Sequence, residues 1–436
     1  MDYLPNIIFA IILIAGVGYF ANNVKKLFRN IKLGKDIVVN DNKSQRWKNM
    51  AKIALGQTKM VARPIAGFLH IIVYIGFIII NIEVLEIVID GLFGTHRIGL
   101  NVLPESVYGF LIGSFEILAV LVLVAVFAFW IRRNIIKLKR FLSPEMKGWP
   151  KNDGNIILYF EVVLMCLFLV MNATDTTFQN LNSGNVISQF VAPLFNGVSE
   201  SSLHIIERGA WWAHIIGILI FLNYLYFSKH LHILLAFPNT YYGKLKPQGQ
   251  FKNSEAVTKE VMLMMDPSAD PYAAPAEDAP EPEKFGASDV TDLNWVQLLN
   301  AYTCTECGRC TSECPANQTG KKLSPRKIMM DTRDRLVEVG KNIDANKGTF
   351  VPDNKQLLGD YISHEELWAC TSCNACVQAC PISIDPLSII MEMRQYLVME
   401  ESAAPSDLNN MMGNIENNGA PWPFNQQDRL NWANES

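Results

Sequence analysis

Eight cysteines fall in two copies of one spacing, the arrangement by which thiolates hold a metal cluster. Cys304, Cys307, Cys310 and Cys314 follow an x2, x2, x3 spacing and lead into Pro315; Cys370, Cys373, Cys376 and Cys380 repeat it and lead into Pro381. Three thiolates in one tight loop can reach three irons of a 4Fe–4S cubane, while the fourth, on the following segment, points away. Paired CxxC motifs also bind zinc, which is the rival occupant. Disulfides suit the pattern poorly, because the cysteines crowd into identical local repeats and metal-bound thiolates need a reducing compartment. The ninth, Cys166, stands alone in an apolar stretch and reads as a small core residue.

Histidines make a second constellation. His214 and His232 are 18 residues apart, which is five full turns of a continuous helix, so the two share one face. His70 lies inside a separate apolar stretch. Imidazoles facing one another in a helix bundle suit bis-imidazole ligation of haem b. The bland alternative is that histidines near a membrane surface snorkel or meet lipid phosphate. His230, about 160° away from His232 around a helix, is read that way, and His96 and His204 as ordinary outer-loop residues. Glu83, Glu86, Glu116 and Glu161 stand in apolar segments. Each could pass protons to a quinone or be paired structurally, and none is assigned as catalytic.

These residues need a membrane bundle and a second, helical domain to position them. Half of the 436 residues are hydrophobic and net charge is −4, so nothing in the balance points to nucleic acid. Five apolar segments are candidate spans, roughly Pro5–Phe20, Pro64–Ile89, Ser106–Ile131, Ile156–Met171 and Gly209–Phe227. The stretches Lys25–Arg63 and Arg132–Lys151 are rich in Lys and Arg, whereas the alternate loops carry only Arg97 and Arg208. The positive-inside rule then puts the N-terminus outside and everything after the fifth helix in the cytoplasm. The first segment lacks a basic n-region and is not read as a signal peptide.

The expected fold is mainly α: a five-helix transmembrane bundle over residues 1–237, then an α-helical iron–sulfur domain over 289–400. Residues 238–288 read as a cytoplasmic segment and linker, with a short helix near Glu255–Met265 and an acidic, proline-rich stretch from Asp266 to Gly286. Ser324-Pro325 starts a helix expected to reach about Val339, and Pro386–Met399 reads as another. Residues 401–436 form a tail with Trp422, Phe424 and Trp432.

Several resemblances attach to these motifs. The doubled cysteine pattern is similar to that of two-cluster ferredoxins, in which the fourth cysteine serves the other cluster. That implies one 4Fe–4S centre on Cys304, Cys307, Cys310 and Cys380, and a second on Cys370, Cys373, Cys376 and Cys314. The run Ala301-Tyr302-Thr303-Cys304-Thr305-Glu306-Cys307-Gly308-Arg309-Cys310 resembles cluster subunits of heterodisulfide reductase and anaerobic glycerol-3-phosphate dehydrogenase; the long interval between repeats is also similar to succinate dehydrogenase. Trp211-Trp212-Ala213-His214 and Ser228-Lys229-His230-Leu231-His232 resemble the gamma subunit of respiratory nitrate reductase and the cytochrome b subunit of membrane heterodisulfide reductase. By that resemblance His70 and His232 hold a cytoplasm-proximal haem and His214 serves a distal one. The chain departs from the family at Ile80, where a second helix-two histidine would stand, so one haem is expected. The tail resembles the segment that precedes a CCG-motif redox domain in heterodisulfide reductases, which implies docking to a partner bearing that domain.

Together these readings imply an inner-membrane electron-transfer subunit whose iron–sulfur domain faces the cytoplasm. It links a soluble redox partner, such as a CCG-domain subunit or an electron-transfer flavoprotein, to the quinone pool. The alternative is a haem-free iron–sulfur anchor or redox-sensing scaffold. A redox-driven ion pump would need more charged residues along the helices.

Overall fold

A computed structural model describes residues 3–434 apart from 182, 248, 252, 254 and 269–283. The structure is 72% helical and, among the described residues, has no strand. Five helices are long and apolar enough to cross a membrane. They are α1 (Leu4–Ile31), α2 (Pro64–Phe93), α3 (Glu105–Asn134), α4 (Trp149–Thr174) and α5 (Glu200–Tyr224). Prolines in the first turns of α1, α2 and α4 suit positions whose N–H has no helical partner. Each helix outruns the predicted apolar segment because its ends continue through polar residues. The fourth gains Trp149–Asn155 at its N-terminal end.

The five helices close into a ring, each packed on the next, with α1 lying between α5 and α2. The closest seams need small residues. A Cβ on Gly76 of α2 would stand 2.5 Å from Val122 of α3, and one on Gly91 would stand 2.6 Å from the Phe9 ring of α1. The outer surface is paved with exposed Ile7, Ile11, Ile14, Phe68, Ile78, Val124 and Phe127, an apolar belt that water would penalise and lipid would not.

At the end of the bundle where α2 ends and α3 begins, the buried Arg97 donates to Asp175 (2.6 Å), Asn172 (2.9 Å) and the Tyr108 hydroxyl (3.2 Å). Asn172 donates to Glu116, whose other oxygen accepts from the backbone of Ile187 and Ser188. Glu86 accepts from Gly99 N–H and Tyr108. Two of the carboxylates considered for proton transfer are thus engaged in clasping loops. His96, expected to be an ordinary surface residue, lies 3.1 Å from Asp175 in the same clasp.

The fifth span does not run straight through to His232. After α5 the chain tightens over Leu225–Phe227, breaks at Ser228 (φ −113°, ψ 150°) and restarts as α6 (His232–Tyr241). Asp153 of α4 fixes the break by accepting from Tyr224 (2.6 Å), Ser228 (2.7 Å) and the Lys229 N–H (3.1 Å). The five-turn stack of His214 over His232 is therefore interrupted.

Beyond the bundle, α7 (Glu255–Met265) forms where a short helix was expected. Most of the predicted acidic linker, 269–283, lies outside the described residues. The second half packs α8 (Trp295–Thr303), α9 (Arg309–Glu313), α10 (Pro325–Ala345), α11 (Ala375–Ala379) and α12 (Pro386–Met399) around a core that includes Leu298, Ile328, Leu336, Ile389 and Met393. Helix α10 continues two turns past the expected end because Val339 and Ile343 stay on its buried face.

This half is joined to the bundle by many direct contacts. Lys35 N–H donates to the Leu293 carbonyl (2.8 Å), and Trp295 N–H returns to the Lys35 carbonyl (3.2 Å). Asn30 donates to Tyr302 (2.9 Å), Arg326 to the Arg140 carbonyl (2.6 Å) and to Glu145 (2.7 Å), and Asn239 to the Ile382 carbonyl (2.7 Å).

Candidate functional site

The cysteine motifs fold as loop–helix units. In each, the first two cysteines stand in a loop, the third lies in the first turn of α9 or α11, and the fourth follows that helix with extended backbone. Glu306, Gly308, Ser372 and Asn374 take positive φ there, which turns the loop tightly enough to gather its cysteines. Helices α9 and α11 pack on each other, so each fourth cysteine is carried toward the opposite loop. Cys304, Cys307, Cys310 and Cys380 line one cavity, with Arg326, Met329, Ile382 and Ile384. Cys314 falls within electrostatic reach of Cys370 and Cys376, and Cys370 within reach of Cys373. The two sets implied by the crossed-over pattern are thus the two sets brought together.

The spread of the sulfurs distinguishes iron from zinc. No three of them lie within 4.8 Å of one another among the described residues. Four thiolates on one zinc at about 2.3 Å would stand about 3.8 Å apart, so the sets are too open for zinc and leave room for a larger cluster. Burial pushes the Cys304 and Cys376 thiols up to about 12 and Cys380 up to about 11. Thiolates in such a dry site need a bound cation, which iron supplies.

His70 and His232 come together from α2 and α6 with ring centres 6.4 Å apart. Two metal–nitrogen bonds of about 2 Å plus about 1 Å from each nitrogen to its ring centre span about 6 Å, so the pair fits bis-imidazole iron. His232 Nδ1 lies 3.1 Å from the Lys229 carbonyl, the backbone contact that orients a ligating imidazole and leaves Nε2 free. His70 Nδ1 is buried without a partner. His230, read as facing elsewhere, packs 5.4 Å from His232 and 5.5 Å from Phe221. His214 is not brought to this group. It is buried against Phe168, and among the described residues no other histidine ring packs on it. Ile80 is likewise buried, with no ligand to offer.

Sequence reasoning missed what joins the histidine pair to the first cysteine loop. Lys229, whose carbonyl holds His232, makes a buried ion pair with Glu306, which lies between Cys304 and Cys307. Arg333 donates to the other Glu306 oxygen at 2.7 Å. Burial pushes the Glu306 carboxyl up, but Lys229 and Arg333 outweigh it and hold it below the usual range. Arg309, in the same cysteine loop, lies within electrostatic reach of His70. The available sequence signals were Ser228 as a helix cap and a lysine placed between apolar residues and two histidines.

Residues 303–384 match the family described as a 4Fe-4S dicluster domain. Over 99% of its length the chain is 28% identical to the probable iron-sulfur-binding oxidoreductase FadF of Bacillus subtilis, covering 61% of that protein. Over 91% it is 25% identical to the EtfAB:quinone oxidoreductase of Syntrophomonas wolfei, covering 55%. A shorter match, 28% identical over 35% of the chain and 37% of the relative, is to one component of the dihydromethanophenazine:CoB--CoM heterodisulfide reductase of Methanosarcina mazei. The chain thus spans less than two thirds of each of these relatives. No solved structure matches it. The chain is similar to iron–sulfur oxidoreductases and to heterodisulfide reductase components, and it joins a 4Fe–4S dicluster domain to five helices long and apolar enough to cross a membrane.

Proposed function

We propose that the chain carries electrons between a soluble redox partner and the quinone pool through two 4Fe–4S centres and one haem b. The observation that carries this reading is the His70–His232 pair, spaced for an iron and tied through Lys229 and Glu306 to the first cysteine loop. Iron–sulfur centres and haem supply one-electron chemistry when bound. Cys304, Cys307, Cys310 and Cys380 would hold one centre, and Cys314, Cys370, Cys373 and Cys376 the other. His70 and His232 would hold the haem iron, and the Lys229 carbonyl lies against His232 Nδ1 and holds that ring in place. Buried apolar residues around the Cys304 set, among them Met329, Ile382 and Ile384, limit water there. The Lys/Arg bias of the loops supports a cytoplasmic iron–sulfur half at the inner membrane, with the N-terminus outside. The name of the Syntrophomonas relative pairs EtfAB with quinone, which supports an electron-transfer flavoprotein or a CCG-domain protein as the soluble partner.

A reduced-minus-oxidised optical spectrum of the purified chain, with iron and haem quantified, tests this. A b-type band reducible by a quinol analogue is expected. His70→Ala and His232→Ala should each abolish it while iron stays near about eight per chain. Folded wild-type protein with full iron and no haem band would favour the haem-free anchor.

A further inference from the structure

The two cysteine sets stand in unequal electrostatic surroundings. The Cys307–Cys310 loop is wrapped by arginines: a Cβ on Gly308 would stand 2.5 Å from Nη1 of Arg326 and 3.3 Å from Cβ of Arg140. Arg326 is neutralised by Glu145 and Arg63 by Glu313. Three other cations keep their charge for the sulfurs. Arg140 and Arg309 lie within electrostatic reach of Cys307, and Lys59 within reach of Cys380. Arg309 donates to the backbone carbonyls of Lys59 and Met60. Lys59 Nζ sits 3.3 Å from Ser383 Oγ and 3.4 Å from the Val377 carbonyl. Arg140 Nε is buried and has no hydrogen-bond partner. Among the described residues none of the three has a carboxylate partner, and the one carboxylate in the loop, Glu306, is already paired with both Lys229 and Arg333.

The other set has little of this. Arg394 donates to the Cys370 carbonyl at 2.5 Å and reaches Cys370 electrostatically. Against it stands Asp385, which reaches Cys376 and has Lys244 at longer range. Cys373 is exposed, so water screens that side further. Reduction adds one negative charge to a centre, and nearby uncompensated cations favour it, more so where burial keeps the local dielectric low.

We propose that Arg140, Arg309 and Lys59 hold the centre on Cys304, Cys307, Cys310 and Cys380 at a higher reduction potential than the centre on Cys314, Cys370, Cys373 and Cys376, so that electrons run from the solvent-facing set toward His70 and His232. The inference rests on the ligand sets proposed above. One electron leaves the Cys370 side and enters the Cys304 side; no bond breaks and no proton is required. The exposed Cys373 edge is then the entry point for the soluble donor.

An anaerobic redox titration of the fully iron-loaded chain, followed by electron paramagnetic resonance, tests this. Cys373→Ser marks which signal belongs to the solvent-facing set. That signal should titrate at the lower potential, by at least a tenfold equilibrium factor, about 59 mV for one electron. Arg140→Gln and, separately, Lys59→Met should lower the other signal and leave the Cys373-sensitive one in place. The lysine variant keeps the test open if loss of Arg140 disturbs folding. Equal potentials, the reverse order, or both signals shifting together would overturn the proposal. Fewer than about eight irons in fully loaded protein would instead sink the ligand sets, before any potential is compared, and the haem result bears on neither.

Discussion

Cys314 belongs to the first motif by sequence and to the second set in space. It lies within electrostatic reach of Cys370 and Cys376, while Cys380 joins Cys304, Cys307 and Cys310 around one cavity. Cys314→Ser should therefore cost roughly half the iron and remove the same resonance signal that Cys373→Ser alters. Loss of the Cys304-set signal instead would refute the crossed assignment. The eight ligand candidates were legible because cluster chemistry dictates short local spacings. Lys229, Glu306 and Arg140 were not, since their roles arise from pairs such as Lys229–Glu306 that lie far apart in sequence. His230 packs beside His232 and Phe221, not on the opposite face that a straight helix would give it, because the chain bends at Ser228.

At the scale of elements, the bend between α5 and α6 brings His232 beside His70, and Asp153 is its anchor. This buried carboxylate accepts from Tyr224, Ser228 and the Lys229 N–H. Asp153→Ala should cost about 3 kcal/mol, because it strips a charged acceptor from several buried donors. It should also lower haem occupancy, measured as haem per iron beside a thermal melt; an unchanged ratio would remove the bend from the ligation argument. All five spans were visible in hydropathy, and α7 and α12 begin and end where composition and capping put them. Span lengths were underestimated because Trp149–Asn155 and Glu200–Arg208 are polar turns that hydropathy discounts. The break at Ser228 carried only the weak signal of a capping residue, whereas its cause, Asp153, sits on another helix.

The molecule as a whole is two halves held by side chains at their junction. Glu145, in the loop between α3 and α4, accepts from Arg326 and Ser324 of the iron–sulfur half at 2.7 Å each. Burial pushes its carboxyl up, but Arg326 and Ser324 outweigh that and hold it below the ordinary value of 4.5. A depressed carboxylate contributes stability that is present above its unfolded value and is lost as pH falls through the folded one. The junction should thus hold at neutral pH and loosen below about pH 4.5, seen as faster proteolysis between the halves. Glu145→Gln should be looser at neutral pH and respond less to acid. A wild-type junction with no acid response would remove Glu145 from this role.

The backbone seam between residues 35 and 293–295 carries a further consequence. It pins the C-terminal end of the first membrane helix to the start of the iron–sulfur half, by a route that bypasses the acidic segment entirely. The iron–sulfur half is therefore seated directly on the bundle beside residue 35, and does not hang from the acidic segment alone.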